Sequence, residues 1–136
     1  MSSSRALSQS SYLPIAATVF ATIFVGFGVN AILRPFEALN FFELKPPVSS
    51  ADQQVVESLM VVYGARDIFM GAAIYSAAYF GSRMALGWIL IAGSAVAVVD
   101  GYVCWAYAER GEWNHWGYAP ALTVVGSLLL GVADRG

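Results

Sequence analysis

Residues 13–33 form an apolar segment of 21 residues that contains no charged side chain. A helix rises about 1.5 Å per residue, so this segment is long enough to cross the ~30 Å hydrocarbon core of a bilayer. A secretory signal peptide would have a shorter apolar region, roughly 7–15 residues, before a small-residue cleavage site. This segment instead ends with Asn30, Arg34 and Pro35. We therefore expect a retained transmembrane helix.

Three further apolar segments follow, at about residues 55–80, 84–107 and 118–132. Hydrophobic residues make up 58% of the chain and charged residues only 12%, whereas soluble domains carry about 25% charged residues. A chain of 136 residues cannot bury that much apolar surface in water. The sequence predicts an all-α fold, a four-transmembrane-helix bundle that forms one transmembrane domain over residues 1–136.

The connecting segments differ in length and character. Residues 1–12 are rich in serine and predict a solvated tail, and Gly81 to Arg83 predict a tight turn between antiparallel helices. Residues 34–54 are polar with apolar side chains interspersed, which is typical of a loop that could fold over the bundle as a lid. Residues 108–117 form a polar and aromatic loop at the membrane boundary.

Small residues recur every four positions in the third helix, at Gly93, Ala97 and Gly101, and predict close packing against another helix. Four spans place both termini on one side of the membrane. Lysines and arginines divide evenly between the two sides, so we adopt cytosolic termini as the working orientation. The expected location is the endoplasmic reticulum or another endomembrane.

Charged residues interrupt two of the predicted helices. Arg66 and Asp67 lie near the middle of the second, and Asp100 is the only charge in the third. Each charge at the centre of a membrane helix costs about 2.5–3.5 kcal/mol, so such residues face the protein interior and usually mark a functional site. Adjacent side chains on a helix point about 100° apart. We therefore expect Arg66 and Asp67 each to find a partner on another helix, with Asp100 as the nearest candidate.

Helical spacing places these charges in the half of the bilayer nearest the two long loops, and predicts a polar pocket that opens toward them. The candidate catalytic residues are Arg66, Asp67, Asp100 and His115, which could act as general acid, general base, carbonyl-polarising group or proton relay at the pocket mouth. The candidate substrate-binding residues are the polar and aromatic side chains around them: Asn30, Tyr63, Tyr102, Trp105, Glu112 and Trp113.

Two classes of partner are disfavoured. The chain has no basic cluster, so it lacks the electrostatic footprint of a nucleic-acid-binding protein. Cys104 and His115 are the only cysteine and histidine, which argues against a metal centre. We expect no cofactor.

Several of these elements also carry a family resemblance: the Arg34-Pro35 end of helix one, Gly64-x-Arg66-Asp67-x-x-x-Gly71, Arg83-x-x-x-Gly87, Asp100 and His115. In them the sequence resembles a family of small four-helix integral membrane proteins, frequent in fungi and catalogued as a domain of unknown function. The resemblance implies a four-helix bundle. Some fungal proteins of similar size and topology look like cyclases or isomerases of lipophilic intermediates in secondary metabolism.

The leading functional hypothesis is a membrane-embedded cyclase, isomerase or pericyclase that acts on a lipophilic intermediate such as a terpenoid or polyketide. Its partners would be that small molecule and membrane lipid. One alternative is a structural or assembly subunit, in which Arg66 and Asp100 form an ion pair that only fixes helix register. A second alternative is a small oligomeric transporter, because four helices are few to enclose a transport pathway within one chain. A homo-oligomer is compatible with each of these hypotheses.

Overall fold

The computed structural model describes residues 6–134, and over that range it consists of helices and the turns and loops that connect them, with no strand. The long helices are α1 (Tyr12–Leu33), α3 (Ser50–Phe80), α4 (Arg83–Val103) and α6 (Ala119–Leu129). Short helices α2 (Pro35–Leu39) and α5 (Trp113–Trp116) lie in the two long connections, and α4 continues through a π-helical turn, Cys104–Ala108. Single 3₁₀ turns occur at Leu7–Gln9, Asn40–Phe42 and Val132–Asp134. The all-helical prediction is confirmed for the described residues.

Two helices are long and apolar enough to cross a membrane: Tyr12–Leu33 and the continuous stretch Arg83–Ala108. Helix α3 has 31 residues, but Arg66 and Asp67 interrupt its apolar sequence. Helix α6 has only 11 residues and ends at Leu129, before the predicted boundary at 132. Its length of roughly 16 Å is about half the thickness of a hydrocarbon core.

The bundle consists of two tightly packed helix pairs, α1 with α3 and α4 with α6, and a glycine lies opposite a glycine in each. A Cβ atom added to Gly28 would lie 2.5 Å from the Gly64 carbonyl oxygen, and the reverse distance is the same. Gly87 and Gly126 stand in the same relation at 2.8 Å. Only residues without a side chain allow the backbones to approach so closely.

The predicted stripe Gly93, Ala97 and Gly101 does not form a helix–helix contact of this kind. The nearest atom to a Cβ at Gly93 would be Cε of Met70 at 3.7 Å, which is ordinary packing distance. Gly101 instead accommodates the indole ring of Trp116 from the loop before α6. The Trp116 Nε1–H donates to the Val98 carbonyl at 3.1 Å, which fixes the ring against α4.

Many large apolar side chains lie on the outside of the bundle, and many of the buried positions of α1 and α3 are small. Buried positions of α1 and α3 include Ala17, Ala21, Gly28, Gly64 and Gly71. The exposed residues are large: Ile15, Val19 and Ile23 on α1, Val62 and Phe69 on α3, and Trp88 and Val99 on α4. This distribution differs from that of a soluble protein, where an apolar surface of this extent is rare.

The connection after α1 folds back onto the bundle. Leu39 and Phe42 are buried, and Leu39 belongs to a cluster with Ala31 and Met60. The loop before α6 secures this segment: Asn114 Nδ2 donates to the Phe41 carbonyl at 3.1 Å. We call residues 35–44 the lid segment.

The first and last segments of the described range, near Ser8 and Asp134, meet at the opposite end of the bundle. Arg83 Nη1 donates to the carbonyls of Ser8 and Ser10 at 2.8 Å each, and the Ser8 amide donates to Asp134 Oδ1 at 3.1 Å. Ser8 is buried. Most of residues 6–12 are exposed, as predicted for a solvated tail, but Ser8 is buried because Arg83 and Asp134 hold its backbone. Residues 1–5 lie outside the described range.

Candidate functional site

Arg66 lies between two carboxylates and binds both. Its Nη1 and Nη2 donate to Oδ1 and Oδ2 of Asp100 at 3.0 and 2.9 Å, a bidentate pair between α3 and α4. Its Nε and Nη2 donate to Oδ1 of Asp67 at 3.2 and 3.0 Å. We call Arg66, Asp67 and Asp100 the ion triad. The contact between Arg66 and Asp100 agrees with the sequence-based expectation.

The contact between Arg66 and Asp67 corrects that expectation. Neighbouring Cβ atoms on a helix do diverge, but the three methylenes of arginine allow its guanidinium to turn back along the helix. Asp67 therefore needs no partner from another helix. Both of its hydrogen bonds from Arg66 fall on Oδ1, and the Tyr63 hydroxyl also lies within hydrogen-bonding reach of the carboxylate. Arg66 uses four of its five N–H groups in the triad.

The triad is enclosed to different degrees on its two sides. The Asp67 and Asp100 side chains are only 4% and 9% exposed, whereas Arg66 is 35% exposed. Cζ of Arg66 lies 4.4 Å from the centroid of the Tyr63 ring, one turn earlier on α3, within cation–π distance. Tyr63 therefore contacts both the triad and an adjacent space that it lines.

That space is a cavity of about 330 Å³ beneath the lid segment. It lies between α1, α3 and the two long loops, and its lining is Phe27, Asn30, Glu37, Ala38, Asn40, Phe41, Tyr63 and Asn114. Asn30 and Tyr63 were predicted from the sequence as substrate-binding residues, and both line it. None of the four candidate catalytic residues, Arg66, Asp67, Asp100 and His115, is among its lining residues, so the cavity matches the predicted polar pocket only at Asn30 and Tyr63.

His115 is fully buried, and neither of its ring nitrogens forms a hydrogen bond with any residue in the described range 6–134. Its ring packs against Phe41 and Phe42, with centroid distances of 4.6 and 4.7 Å. Burial lowers the pKa of His115 because the imidazolium loses its water; the Asp100 carboxylate and the Phe41 carbonyl act in the opposite direction. His115 therefore lies behind Phe41, and its predicted position at the pocket mouth is wrong.

Four other predicted binding residues do not line this cavity. Tyr102 and Trp105 pack together at 5.9 Å on the exposed face of α4. Trp113 packs edge-on against Trp116 beside a separate groove between α4 and α6. Glu112 immediately precedes α5, and its carbonyl accepts hydrogen bonds from the His115 and Trp116 amides.

The sequence indicated that the loop after α1 could form a lid, but none of its side chains was predicted as a site residue. Phe42 reaches between α3 and α5, where its ring lies 5.2 Å from Tyr63 and 4.7 Å from His115. Phe41 separates His115 from the cavity, and Asn40 and Glu37 form part of the cavity wall. The adjacent phenylalanines in an otherwise polar loop were the available signal, and they pack inward.

Among residues 6–134, no cluster of three or more histidine, cysteine, aspartate or glutamate side chains is arranged to hold a metal ion. Cys104 is buried one turn after Asp100.

Comparison with known proteins yields a match to a family model and no match to an individual protein. A family model described as a domain of unknown function, DUF4267, matches residues 21–129. The matched residues include the packed region of the four long helices, the ion triad and His115. No curated protein and no solved structure matches the chain. Since the match covers most of the sequence, this chain belongs to the DUF4267 family.

Proposed function

We propose that the protein crosses a membrane with all four long helices and acts there as an enzyme on a lipophilic intermediate. Membrane insertion is supported by the two helices that are long and apolar enough to span a bilayer, and by the large apolar side chains that cover the outside of the bundle. Helix α6 is short, but Trp113 and Trp116 precede it and would lie at the interface. The proposed location is an endomembrane.

The observation that carries the enzymatic proposal is the ion triad beside a cavity. Charged groups inside a membrane bundle are costly, and a purely apolar core would serve packing better. Here the triad contacts Tyr63, which is also a wall of the cavity. A molecule in the cavity would therefore lie next to preorganised charges in a low-dielectric environment, where electrostatic stabilisation of a reacting group is strongest.

The proposed reaction is an isomerisation or cyclisation in which Asp67 moves a proton. The Tyr63 hydroxyl, which lines the cavity, lies within hydrogen-bonding reach of the Asp67 carboxylate. Asp67 would take a proton from a substrate carbon through that hydroxyl and return it to another carbon by the same route, so the reaction consumes no oxidant and releases no group. Arg66, which is not among the cavity-lining residues, would hold the Asp67 carboxylate in position next to Tyr63. Asp100 would hold Arg66 in place through its bidentate pair.

The test is a complementation experiment in the source organism with the gene deleted. The strain receives wild type, Asp67→Asn, or the matched control Asp52→Asn, which lies in the first turn of the same helix at an exposed site. Lipid extracts are compared by mass spectrometry. We expect wild type and the control to convert one compound into an isomer of equal mass and different retention time, and Asp67→Asn to accumulate the precursor. An Asp67→Asn protein that is folded and restores the wild-type profile would refute the proposal.

A second candidate is a structural role, which the bidentate geometry of Arg66 and Asp100 favours. If the triad only fixes helix packing, exchanging the two charges in an Arg66→Asp, Asp100→Arg double variant restores whatever the single changes destroy. The enzymatic proposal expects the exchange to restore folding but not isomer formation, because the cation then lies on α4, away from Tyr63.

A further inference from the structure

The cavity beneath the lid segment has a particular polar lining: three of its residues carry carboxamides. Asn30 comes from α1, Asn40 from the lid segment and Asn114 from α5. Each carboxamide offers two N–H donors and an acceptor oxygen. One Asn114 N–H is used by the Phe41 carbonyl, and its oxygen stays available toward the cavity. Groups of this kind recognise hydroxyl, carbonyl or amide groups by direct hydrogen bonds.

The charges around the cavity disfavour an anion. Neither lysine nor arginine belongs to its lining, which lies wholly within the described residues. The nearby ion triad has two carboxylates and one guanidinium, so negative formal charge is in excess. Glu37 adds another carboxylate, which pairs with Arg34 at 3.2 Å. Phosphate and diphosphate groups are usually bound by arginine, lysine or a metal ion, and no such cation faces this space.

The same charges do not make the cavity a strong cation site either. The Glu37 side chain is 65% exposed and already paired, and both triad carboxylates are engaged by Arg66. The Tyr63 ring has its cation–π partner in Arg66. What is left to recognise a ligand is the set of carboxamides.

An apolar compartment adjoins the polar one at Tyr63. It measures about 280 Å³ and lies between the lid segment, α3 and Val103 of α4. Its walls include Phe42, Leu59 and Met60, and Leu59 is exposed on the side that would face lipid. In the arrangement that we infer, a hydrocarbon chain lies there and passes Tyr63, the residue that lines both spaces, to place its polar end at the carboxamides.

We propose that the protein binds an amphiphile with an uncharged, hydrogen-bonding head group, such as a lipophilic alcohol or ketone, in the cavity lined by Asn30, Asn40 and Asn114. The assignment rests on the proposed function and narrows its substrate class: the substrate enters without a phosphate, diphosphate or carboxylate group. An enzyme that made this substrate would have to release any such charged group beforehand. The volume of about 330 Å³ is sufficient for a compact head group or a single ring.

The test uses three photoreactive probes with the same diazirine-bearing alkyl chain and different head groups: hydroxyl, trimethylammonium and phosphate. The purified protein is reconstituted in phosphatidylcholine vesicles, labelled with each probe, and digested to map the cross-links. The variant is Asn30→Leu, which removes one carboxamide at nearly constant size. Its control is Gln54→Leu, which removes an exposed carboxamide from the first turns of α3, outside the cavity.

We expect the hydroxyl probe to label residues of the lid segment and of α3 around Leu59, at least ~10-fold more than the phosphate probe; a tenfold difference is about 1.4 kcal/mol. Asn30→Leu should reduce this labelling several-fold, whereas Gln54→Leu should leave it unchanged. Equal labelling by the phosphate probe, stronger labelling by the trimethylammonium probe, or an unaffected Asn30→Leu variant would each overturn the assignment. Labelling does not require turnover, so a binding protein without isomerase activity refutes the proposed function alone.

Discussion

Arg66 organises the site because one guanidinium satisfies two buried carboxylates from two helices. Such an arrangement is costly to form, but it is costlier to break, since the loss of one partner leaves an uncompensated charge. The triad therefore contributes to folding whether or not it also acts on a substrate. Measurements of stability and of turnover are needed separately for each of its members.

Asp100→Ala should destabilise the protein by about 3 kcal/mol or more, the usual effect of removing one partner of a buried ion pair. Arg66 would lose its bidentate partner on α4 and keep only Asp67. Thermal unfolding in detergent would measure the change. Asp52→Ala is the control: it lies at an exposed position and should change stability by no more than about 0.5 kcal/mol. Equal effects of the two changes would contradict the geometry of the triad.

His115 should make the stability of the protein depend on pH. Its pKa is lower in the folded state than the usual 6.5, because burial penalises the imidazolium. Between the folded and unfolded pKa values the unfolded chain binds more protons, so stability falls as the pH is lowered through 6.5. We expect the melting temperature of wild type to decrease between pH 7.5 and 5.5 more than that of His115→Leu. Parallel curves for the two proteins would show that His115 is hydrated or paired.

At the scale of elements, glycines determine which helices pair. Gly28 and Gly64 bring α1 against α3, and Gly87 and Gly126 bring α4 against α6. Contacts between the two pairs are less extensive, and the ion pair of Arg66 and Asp100 is one of them. The lid segment and the loop before α6 cover one end of the bundle, at the gap between the two helix pairs.

Gly28→Ala should destabilise the α1–α3 pair, because its Cβ would lie 2.5 Å from the Gly64 carbonyl oxygen. We expect a loss of about 1–3 kcal/mol, typical of overpacking at a close contact. The matched control is Gly26→Ala on the same helix, where an added Cβ meets no atom within 4 Å. That change should be neutral or slightly stabilising, because alanine favours the helix over glycine. Thermal unfolding in detergent distinguishes the two; similar losses would rule out the glycine crossing.

The two long loops should be close enough for a disulfide between Glu43→Cys and Gly111→Cys in a Cys104→Ala background. A Cβ at Gly111 would lie 3.3 Å from that of Glu43, near the 3.5–4.5 Å of disulfides. Gly111 has φ +83°, so a side chain there adds some strain. Mild oxidation should give a faster-migrating band on non-reducing gels that disappears with reductant. The single-cysteine variants serve as controls, and failure of the double variant to react would contradict the contact between the loops.

At the scale of the whole molecule, the two ends of the bundle are different. One end carries the lid segment, the cavity and the ion triad; the other joins the terminal segments through Arg83, Ser8 and Asp134. In a membrane, a substrate would approach the triad from the end that carries the long loops. The orientation of the bundle therefore decides which compartment that end faces.

Cysteine labelling tests both the four-span arrangement and its orientation. In a Cys104→Ala background, Gln9→Cys marks the terminal end and Val48→Cys marks the loop end, where Val48 is 97% exposed. With cytosolic termini, an impermeant maleimide added to sealed microsomes should label Gln9→Cys directly, and Val48→Cys only after permeabilisation. Direct labelling at both positions would refute four spans, and the reverse pattern would refute the orientation.

The positions of the helices were largely predictable, because they depend on local sequence. Apolar runs indicate helices, and Pro35, Gly81 and the polar segments indicate where they end. The pairing of Arg66 with Asp100 was also predictable, since a buried charge needs a partner and helix α4 offers one carboxylate. Which helices pair was not predictable. Gly93 and Gly101 follow the expected small-residue spacing, yet Gly87 makes the close helix–helix contact, because packing depends on which face of a helix meets its neighbour.

The sequence by itself determined that the chain is helical, that its surface is apolar and that Arg66, Asp67 and Asp100 share the interior, because hydropathy and the cost of burying charge act residue by residue. Only the tertiary structure decided that Phe41 and Phe42 separate His115 from the cavity, that Tyr102 and Trp105 face outward, and that three asparagines converge beneath the lid segment. These features depend on how a loop folds onto helices distant in sequence, which no local pattern encodes.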